Sequence, residues 1–375
     1  MAGERNDYTL GEIASFAYGK MPKSNVLTVG DYPTYSGYKY QYKYPEYNCD
    51  KGDVIVVARG VGGTGDVKIV KERCYLTNLS IKIMLDSHKA DNLYFYYNYL
   101  NSSLRHLDSG SAQSQITIND LVREPLTLPP LAEQKAIAAV LGALDDKIEL
   151  NRRMNETLEA VAQSLFKSWF VDDTQSALPK GWRESTVDDE FNLTMGQSPP
   201  GESYNETGDG IPFYQGRTDF GFRFPTARVF CTAPTRFANA GDTLGSVRAP
   251  VGSVNMATEK CSVGRGVAAA RHKSGSRSYT YYFMRSLEAD FACFEGEGTV
   301  FGSINKADFH AIKRAAPPSE IIEAFEKMLF PIDQRIENNE KESRTLAALR
   351  DALLPKLLSG ELRVPAAAKL VEATT

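Results

Sequence analysis

The chain has 375 residues, 42% of them apolar and 24% charged, with a formal net charge of -4. That is the make-up of an ordinary soluble globular protein long enough for two or three cores. No apolar run approaches the roughly 20 residues that a bilayer-spanning helix needs, and the polar start Met1–Asp7 has no signal-peptide core, so no membrane partner and a cytoplasmic location are expected.

The five cysteines (Cys49, Cys74, Cys231, Cys261, Cys293) are odd in number, scattered and without a Cys-x-x-Cys pair. They form neither a disulfide framework nor a structural zinc motif. Charge is unevenly distributed. Residues 1–128 carry 14 Lys+Arg against 14 Asp+Glu, 129–176 carry 5 against 8, 177–316 carry 16 against 15, and 317–375 carry 8 against 10. The acidity therefore sits in two short segments, and any phosphate-binding face must be assembled by folding.

In chain order, residues 1–128 hold short apolar runs such as Val54–Val57 and Ser80–Met84, broken by Gly, Pro and Asn, which read as strands joined by tight turns. The stretch Arg59–Gly65 is glycine-rich, but it lacks the Gly-Lys-Ser/Thr ending of a phosphate loop and runs into the strand-like Asp66–Val70, so a turn between strands is expected. Leu93–Leu104 reads as a short tyrosine-rich helix. Residues 129–173 then carry a heptad seam, Ile137, Leu141, Leu144, Ile148, Asn151, Asn155, Leu158, Ala162, Leu165 and Trp169, in alternating steps of 4 and 3. About 33 residues of helix predict a length of roughly 50 Å.

Residues 177–316 repeat the mixed pattern, with a turn at Ser198-Pro199-Pro200-Gly201 and a tyrosine-rich helix at Tyr279–Leu287. Residues 317–362 carry a second seam: Phe325, Leu329, Ile332, Ile336, Asn339, Ser343, Leu346, Arg350, Leu353 and Leu357. Both seams break at the same polar layer, Asn151/Asn155 in one and Asn339/Ser343 in the other; such a layer costs stability and fixes register. Residues 363–375 are expected to be a flexible tail.

The chain is thus written twice. Pro129-Pro130 through Asn151 recurs at Pro317-Pro318 through Asn339, an offset of 188. Tyr96-Tyr97 recurs at Tyr281-Tyr282, Ile118-Asn119 at Ile304-Asn305, and Gly52-Asp53 with Arg59 at Gly241-Asp242 with Arg248. Each half is an α+β domain followed by a long helix.

Catalytic motifs are missing. The four histidines have no metal-ligand spacing, and there is no His-Glu-x-x-His, no Gly-x-Ser-x-Gly elbow and no helicase-type ATP site. Ser198-Pro199-Pro200-Gly201 has no aromatic residue where the amino-methyltransferase motif stacks a base.

The run Leu128-Pro129-Pro130-Leu131-Ala132-Glu133-Gln134-Lys135-Ala136-Ile137, continuing into Leu144-Asp145-Asp146-Lys147-Ile148-Glu149-Leu150-Asn151, resembles the central conserved region of the specificity subunits of type I restriction-modification enzymes. Leu165–Asp172, Leu178-Pro179-Lys180-Gly181-Trp182 and Leu353–Leu362 are similar to that family as well. The second segment departs from it, reading Pro318-Ser319-Glu320-Ile321 in place of Leu-Ala-Glu-Gln. The resemblance implies two globular target-recognition domains, 1–128 and 177–316. It also implies that the helices at 129–173 and 317–362 pack antiparallel as a coiled-coil-like spacer with a pseudo-two-fold internal repeat.

By the same resemblance, each domain reads one half of a split, asymmetric site on double-stranded DNA. The helices dock two methyltransferase (modification) subunits, which restriction/translocase subunits join. S-adenosylmethionine, ATP and Mg belong to those partners, DNA methylation and cleavage are theirs, and this chain holds no cofactor or metal and is not an enzyme. Two alternatives stay open: a combined restriction-modification enzyme, or a coiled-coil adaptor that never touches DNA.

Within the domains the candidate DNA-binding residues are Arg59 and Arg248, which sit before glycine turns where a guanidinium can reach guanine or phosphate. Lys20, Lys23 and Lys39 beside Tyr35 and Tyr38 form a basic-aromatic patch in the first domain; Gln215, Arg217, Arg223 and Arg236 form one in the second. The loops holding Ser111 and Gln113, and Thr299 and Ser303, correspond between halves and offer hydroxyls and amides.

Overall fold

The structure, a computed structural model, describes residues 5–60, 63–108, 114–172, 178–292, 294 and 302–372. It comprises two compact units, residues 1–151 with 341–375, and residues 152–340. Each unit is described in its own terms.

The first unit runs β1 (Asn6–Thr9), α1 (Leu10–Ile13), β2 (Ala14–Tyr18), β3 (Tyr32–Tyr35), β4 (Tyr40–Tyr44), β5 (Val54–Val57), β6 (Val67–Ile69), β7 (Tyr75–Leu76), β8 (Ser80–Leu85), α2 (Asn92–Leu100), α3 (Ile118–Val122) and β9 (Pro125–Leu128), and then enters α4 (Leu131–Phe170). The main sheet is antiparallel in the order β2-β8-β5-β6, and a smaller sheet, β4-β3-β7, pairs β3 with β7 in parallel. β5 is buried on both faces, which is why it is a continuous Val/Ile run rather than an alternating one. Val54 and Val56 face the core formed with α2, while Ile55 faces the smaller sheet. Three of the four tyrosines of α2, Tyr94, Tyr97 and Tyr99, are buried in the core, and Tyr96 is half-buried against it.

The second unit follows the same plan. It runs β10 (Arg183–Thr186), α5 (Val187–Glu190), β11 (Phe191–Met195), β12 (Tyr204–Asn205), β13 (Ile211–Tyr214), β14 (Phe230–Cys231), β15 (Phe237–Ala238), β16 (Thr243–Ser246), β17 (Val254–Met256), β18 (Cys261–Val263), β19 (Val267–His272), α6 (Arg277–Ser286), α7 (Glu288–Ala292), α8 (Lys306–Ala311) and β20 (Lys313–Ala316), and then enters α9 (Ser319–Ser359). Its main sheet is β11-β19-β16-β17, and its smaller sheet again contains a parallel pair, β13 with β18. β1 pairs with β9 in one unit and β10 with β20 in the other.

The repeated Gly-Asp is a structural turn. Gly52 and Gly241 adopt φ of +90° and +82°, where a side chain is strained. Asp53 accepts from the Asp50 N–H at 2.7 Å and Asp242 from the Asn239 N–H at 2.6 Å. The same two carboxylates form ion pairs with Lys82 on β8 and Arg271 on β19. One alignment needs correcting. Ile116 and Ile304 make equivalent hydrogen bonds, to the Ala58 and Val247 carbonyls, and Thr117 and Asn305 cap the following helices. Ile304-Asn305 therefore matches Ile116-Thr117, not Ile118-Asn119, and the offset of 188 holds through to the Pro-Pro pairs.

The long helices α4 and α9 have 40 and 41 residues, more than the 33-residue seam predicts. Their first turns belong to the domains: buried Gln134, for example, donates to the carbonyls of Lys89 and Pro129, both at 2.9 Å. In each unit one half of α4 packs antiparallel on one half of α9. Ile137, Leu141 and Leu144 meet Leu346, Leu353 and Leu357 in the first. Ala162 and Phe166 meet Phe325, Leu329 and Ile336 in the second. Ile148, Leu158, Leu165 and Ile332 are half-buried at the margins of these cores.

The polar layer is hydrogen-bonded. Asn151 Nδ2 donates to Glu342 Oε2 at 2.8 Å in the first unit, and Asn339 Nδ2 donates to Asn155 Oδ1 at 2.8 Å in the second. The expected flexible tail is instead α10 (Val364–Glu372), whose Ala367 and Val371 are buried in the first unit's core. Among the described residues no helix is long and apolar enough to cross a membrane.

The Asn155–Asn339 contact predicts a coupled response. Asn339→Leu leaves buried Asn155 Oδ1 without that donor and is expected to cost about 1–3 kcal/mol. Asn155→Leu with Asn339→Leu is expected to recover most of the loss as an apolar layer. Urea unfolding of both variants checks this, and a double variant no more stable than the single one refutes it.

Candidate nucleic-acid interface

Antiparallel pairing brings several loops to one end of the first unit's main sheet. β2 ends there at Tyr18, β8 begins at Ser80, β5 ends at Val57 and β6 begins at Val67. Beyond these ends, Lys20 donates its backbone N–H to the Leu76 carbonyl at 3.0 Å. The Leu79 carbonyl accepts from Ala58 at 2.8 Å and Arg59 at 3.1 Å. Arg59 also forms a backbone bridge with Gln115. Its main chain is thus held from two sides while its side chain stays exposed. Tyr38 lies across the glycine turn. A Cβ on Gly63 would fall 1.4 Å from the Tyr38 hydroxyl, so only glycine permits the approach. Partial burial raises the Tyr38 pKa, keeping the phenol neutral, able both to donate and to accept. Lys39 is exposed beside it.

The second unit builds the same end from β11, β19, β16 and β17. Gln215, Arg217, Arg248 and Arg265 there line a shallow cleft of about 270 Å³ that, among the described residues, no acidic side chain lines. Among the described residues, none of these three arginines has a carboxylate within ion-pair distance. Arg265 Nε donates to Ser198 Oγ at 3.2 Å, and Gln215 is fixed through its carbonyl, which accepts from Gly266 at 3.1 Å. A neighbouring cleft of about 430 Å³ holds Tyr204, Glu206, Phe213, Asp219 and Arg228, but its arginine is tied up in the Arg228–Asp219 ion pair. Three uncompensated guanidinium groups around one concavity suit phosphates and guanine edges.

The sequence has a counterpart to this duplicated arrangement. The family model described as the type I restriction modification DNA specificity domain matches residues 4–160 and again residues 179–347. This chain belongs to that family. It is a type I specificity subunit with two DNA specificity domains. The putative type I restriction enzyme MjaX specificity subunit of Methanocaldococcus jannaschii is 34% identical over 266 residues, 67% of this chain and 62% of that relative. The MjaIX specificity subunit of the same organism is 25% identical over 84% of this chain and 78% of its own length. A crystal structure of a type I S subunit from M. genitalium shares the fold, with a TM-score of 0.62 at 21% identity, covering 95% of this chain and 96% of the other.

Within the two specificity domains, the residues singled out from the sequence sort unequally. Lys20, Tyr38, Lys39 and Arg59 lie at the loop end of the first domain, and Gln215, Arg217 and Arg248 at that of the second. Ser303 is exposed and bridged to Arg248, and Arg236 is exposed next to Thr235, whose hydroxyl donates to the Gln197 carbonyl at 3.1 Å. Ser111, Gln113 and Thr299 lie outside the described residues. Arg265 was missed, although it too precedes a glycine, Gly266, and an arginine ahead of a glycine turn is the cue that marked Arg59 and Arg248.

Three candidates need correction. Tyr35 is 7% exposed and stacks on Tyr40 at 4.1 Å, so it is core. Lys23 donates its N–H to the hydroxyl of Tyr44, a residue at the far end of the hairpin from the Tyr38 turn. Arg223 is 1% exposed and is a structural clamp. It donates to Asp333 Oδ1 at 2.8 Å and to the Tyr282 hydroxyl at 2.5 Å, and forms an ion pair with Glu159. Burial opposes its charge, but Tyr281, Tyr282, Asp333 and Glu159 outweigh burial and raise its pKa, so it stays protonated.

Arg223→Ala leaves buried Glu159 with Arg285 as its remaining cation and half-buried Asp333 with the Ser278 hydroxyl, and is expected to destabilise the chain by about 2–3 kcal/mol. Urea unfolding checks this: an unchanged midpoint together with weakened DNA binding would return Arg223 to the interface.

Proposed function

We propose that this specificity subunit reads a split, asymmetric site on double-stranded DNA with one domain per half-site, while its helices position modification and restriction subunits. The observation that carries the reading is the duplicated loop end with an arginine after β5 and again after β16, neither of which has an ion-pair partner among the described residues. Lys20, Lys39, Tyr38 and Arg59 would engage one half-site, and Gln215, Arg217, Arg236, Arg248, Arg265 and Ser303 the other. Ser111, Gln113 and Thr299 remain candidates by their place in the chain.

The seam residues, from Ile137 to Leu165 on α4 and from Leu329 to Leu353 on α9, would keep the helix pair in register. Two methyltransferase subunits and the restriction/translocase subunits would supply S-adenosylmethionine, ATP and Mg, and the adenine would be flipped into a methyltransferase pocket. The chain itself contributes recognition rather than catalysis, and works in the cytoplasm, where the DNA it reads is found. Among the described residues no group of three or more His, Cys, Asp or Glu could hold a metal.

Expression with the cognate modification subunit, followed by mapping of methylated adenines, is expected to return a bipartite motif. A continuous motif overturns the half-site reading. Methylation independent of this chain favours the adaptor, and stoichiometric S-adenosylmethionine binding by the chain alone favours the combined enzyme. Arg248→Ala is expected to weaken binding of the complex to its site by about 1–3 kcal/mol without shifting the unfolding midpoint. Fluorescence anisotropy measures the first quantity and thermal unfolding the second.

A further inference from the structure

The two domains present the same three loop positions with different chemistry. Each contains a Pro-x-Tyr-x-Gly run, Pro33–Gly37 and Pro212–Gly216. Tyr35 accepts from the Thr77 N–H at 3.0 Å, and Tyr214 from the Gly264 N–H at 2.9 Å. The Leu79 carbonyl accepts from Ala58 at 2.8 Å, and the Gly266 carbonyl from Val247 at 2.9 Å. Ala58 and Val247 in turn accept from Ile116 and Ile304, each at 3.0 Å. Bond by bond, this register makes Tyr38 equivalent to Arg217, Arg59 to Arg248, and Asn78 to Arg265. One position is arginine in both domains. The other two are Tyr38 and Asn78 in the first, and Arg217 and Arg265 in the second.

We infer that positions 38/217 and 78/265 determine which bases each domain accepts, around a common contact from Arg59 and Arg248. This rests on the half-site reading proposed above. An arginine fork matches guanine O6 and N7, whereas an asparagine amide matches adenine N6 and N7. The second domain is therefore the guanine reader, because Arg217 and Arg265 converge with Arg248 on one cleft that no acidic side chain lines among the described residues. The first domain reads adenine through Asn78. Its Tyr38, whose ring is placed by contact with the glycine turn, is 49% exposed. The competing role for the two arginines is a phosphate clamp, which any cation would serve.

The test uses the complete modification complex and maps methylated adenines for wild type, Arg217→Lys/Arg265→Lys and Arg217→Tyr/Arg265→Asn. Lysine keeps the charge and removes the fork. The lysine variant is expected to relax one or two G·C positions of a single half-site about tenfold, leaving the other half-site unchanged. The second variant is expected to shift those positions towards A·T.

A split motif unmoved by both variants overturns the inference in favour of the phosphate clamp. So does equal relaxation of both half-sites, and so does loss of all methylation in the lysine variant, since lost base reading leaves degenerate methylation, not none. A wild-type complex without a split motif would instead remove the half-site reading, and this inference with it.

Discussion

The loop end of each domain depends on one tethered residue. In the first domain Ala58 donates its N–H to Leu79 and accepts from Ile116 at its carbonyl; Val247 does the same with Gly266 and Ile304. The arginine follows immediately after. A side chain that must meet a groove needs a backbone that does not drift, and a residue hydrogen-bonded from two separate segments supplies it. The glycine turns follow from the same requirement: Gly63 leaves room for Tyr38, and Gly266 leaves room for the Gln215 carbonyl, which an added Cβ would approach to 2.4 Å.

Below this end, the two domains solve one electrostatic problem in different ways. The duplicated Asp145 and Asp333, on the two long helices, each sit beside a tyrosine of the tyrosine-rich helix. In the first unit Tyr97 donates to Asp145 at 2.6 Å, and Arg350 from α9 supplies the positive charge, also at 2.6 Å. In the second, the charge on Asp333 comes from Arg223, inside the domain's own loop region. Removing a carboxylate from water is costly unless a cation comes with it. Duplication preserved the carboxylate and the tyrosine, but the counter-charge was recruited from a different element in each copy. That difference explains how an arginine in a polar, glycine-flanked segment, which sequence places at the surface, ends up buried.

Other parts were legible to the degree that local physics determined them. The heptad seams and their polar layer could be read because helical periodicity survives without tertiary context, and the Pro-Pro pairs marked where α4 and α9 begin. The Val54–Val57 strand was legible for the same reason. The Pro-x-Tyr-x-Gly repeat was not seen, because it recurs at an offset of 179 where the helices recur at 188, and the insertions lie in loops between them. The tail was misjudged because a two-turn segment with Pro365 and a run of alanines is short, although Val364, Ala367 and Val371 fall at helical spacing and find a core to join. Arg217 and Arg265, near each other in space, are 48 residues apart in sequence, and only the parallel pairing of β13 with β18 unites them.

That pairing also resolves the charge question raised by composition. Residues 177–316 hold nearly equal numbers of basic and acidic side chains, which by itself predicts no affinity for phosphate. The fold separates the two populations. Asp242 is tied to Arg271, Asp219 to Arg228, Glu190 to Arg183 and Asp290 to Arg314, so much of the acidity is matched within the domain. Among the described residues Arg217, Arg248 and Arg265 remain without such partners, and they share one surface. A neutral domain can therefore present a cationic cleft, because the field at a surface depends on where charges are left unmatched rather than on their sum. The same reasoning predicts little non-specific attraction at long range and places discrimination in the few arginines that face the groove.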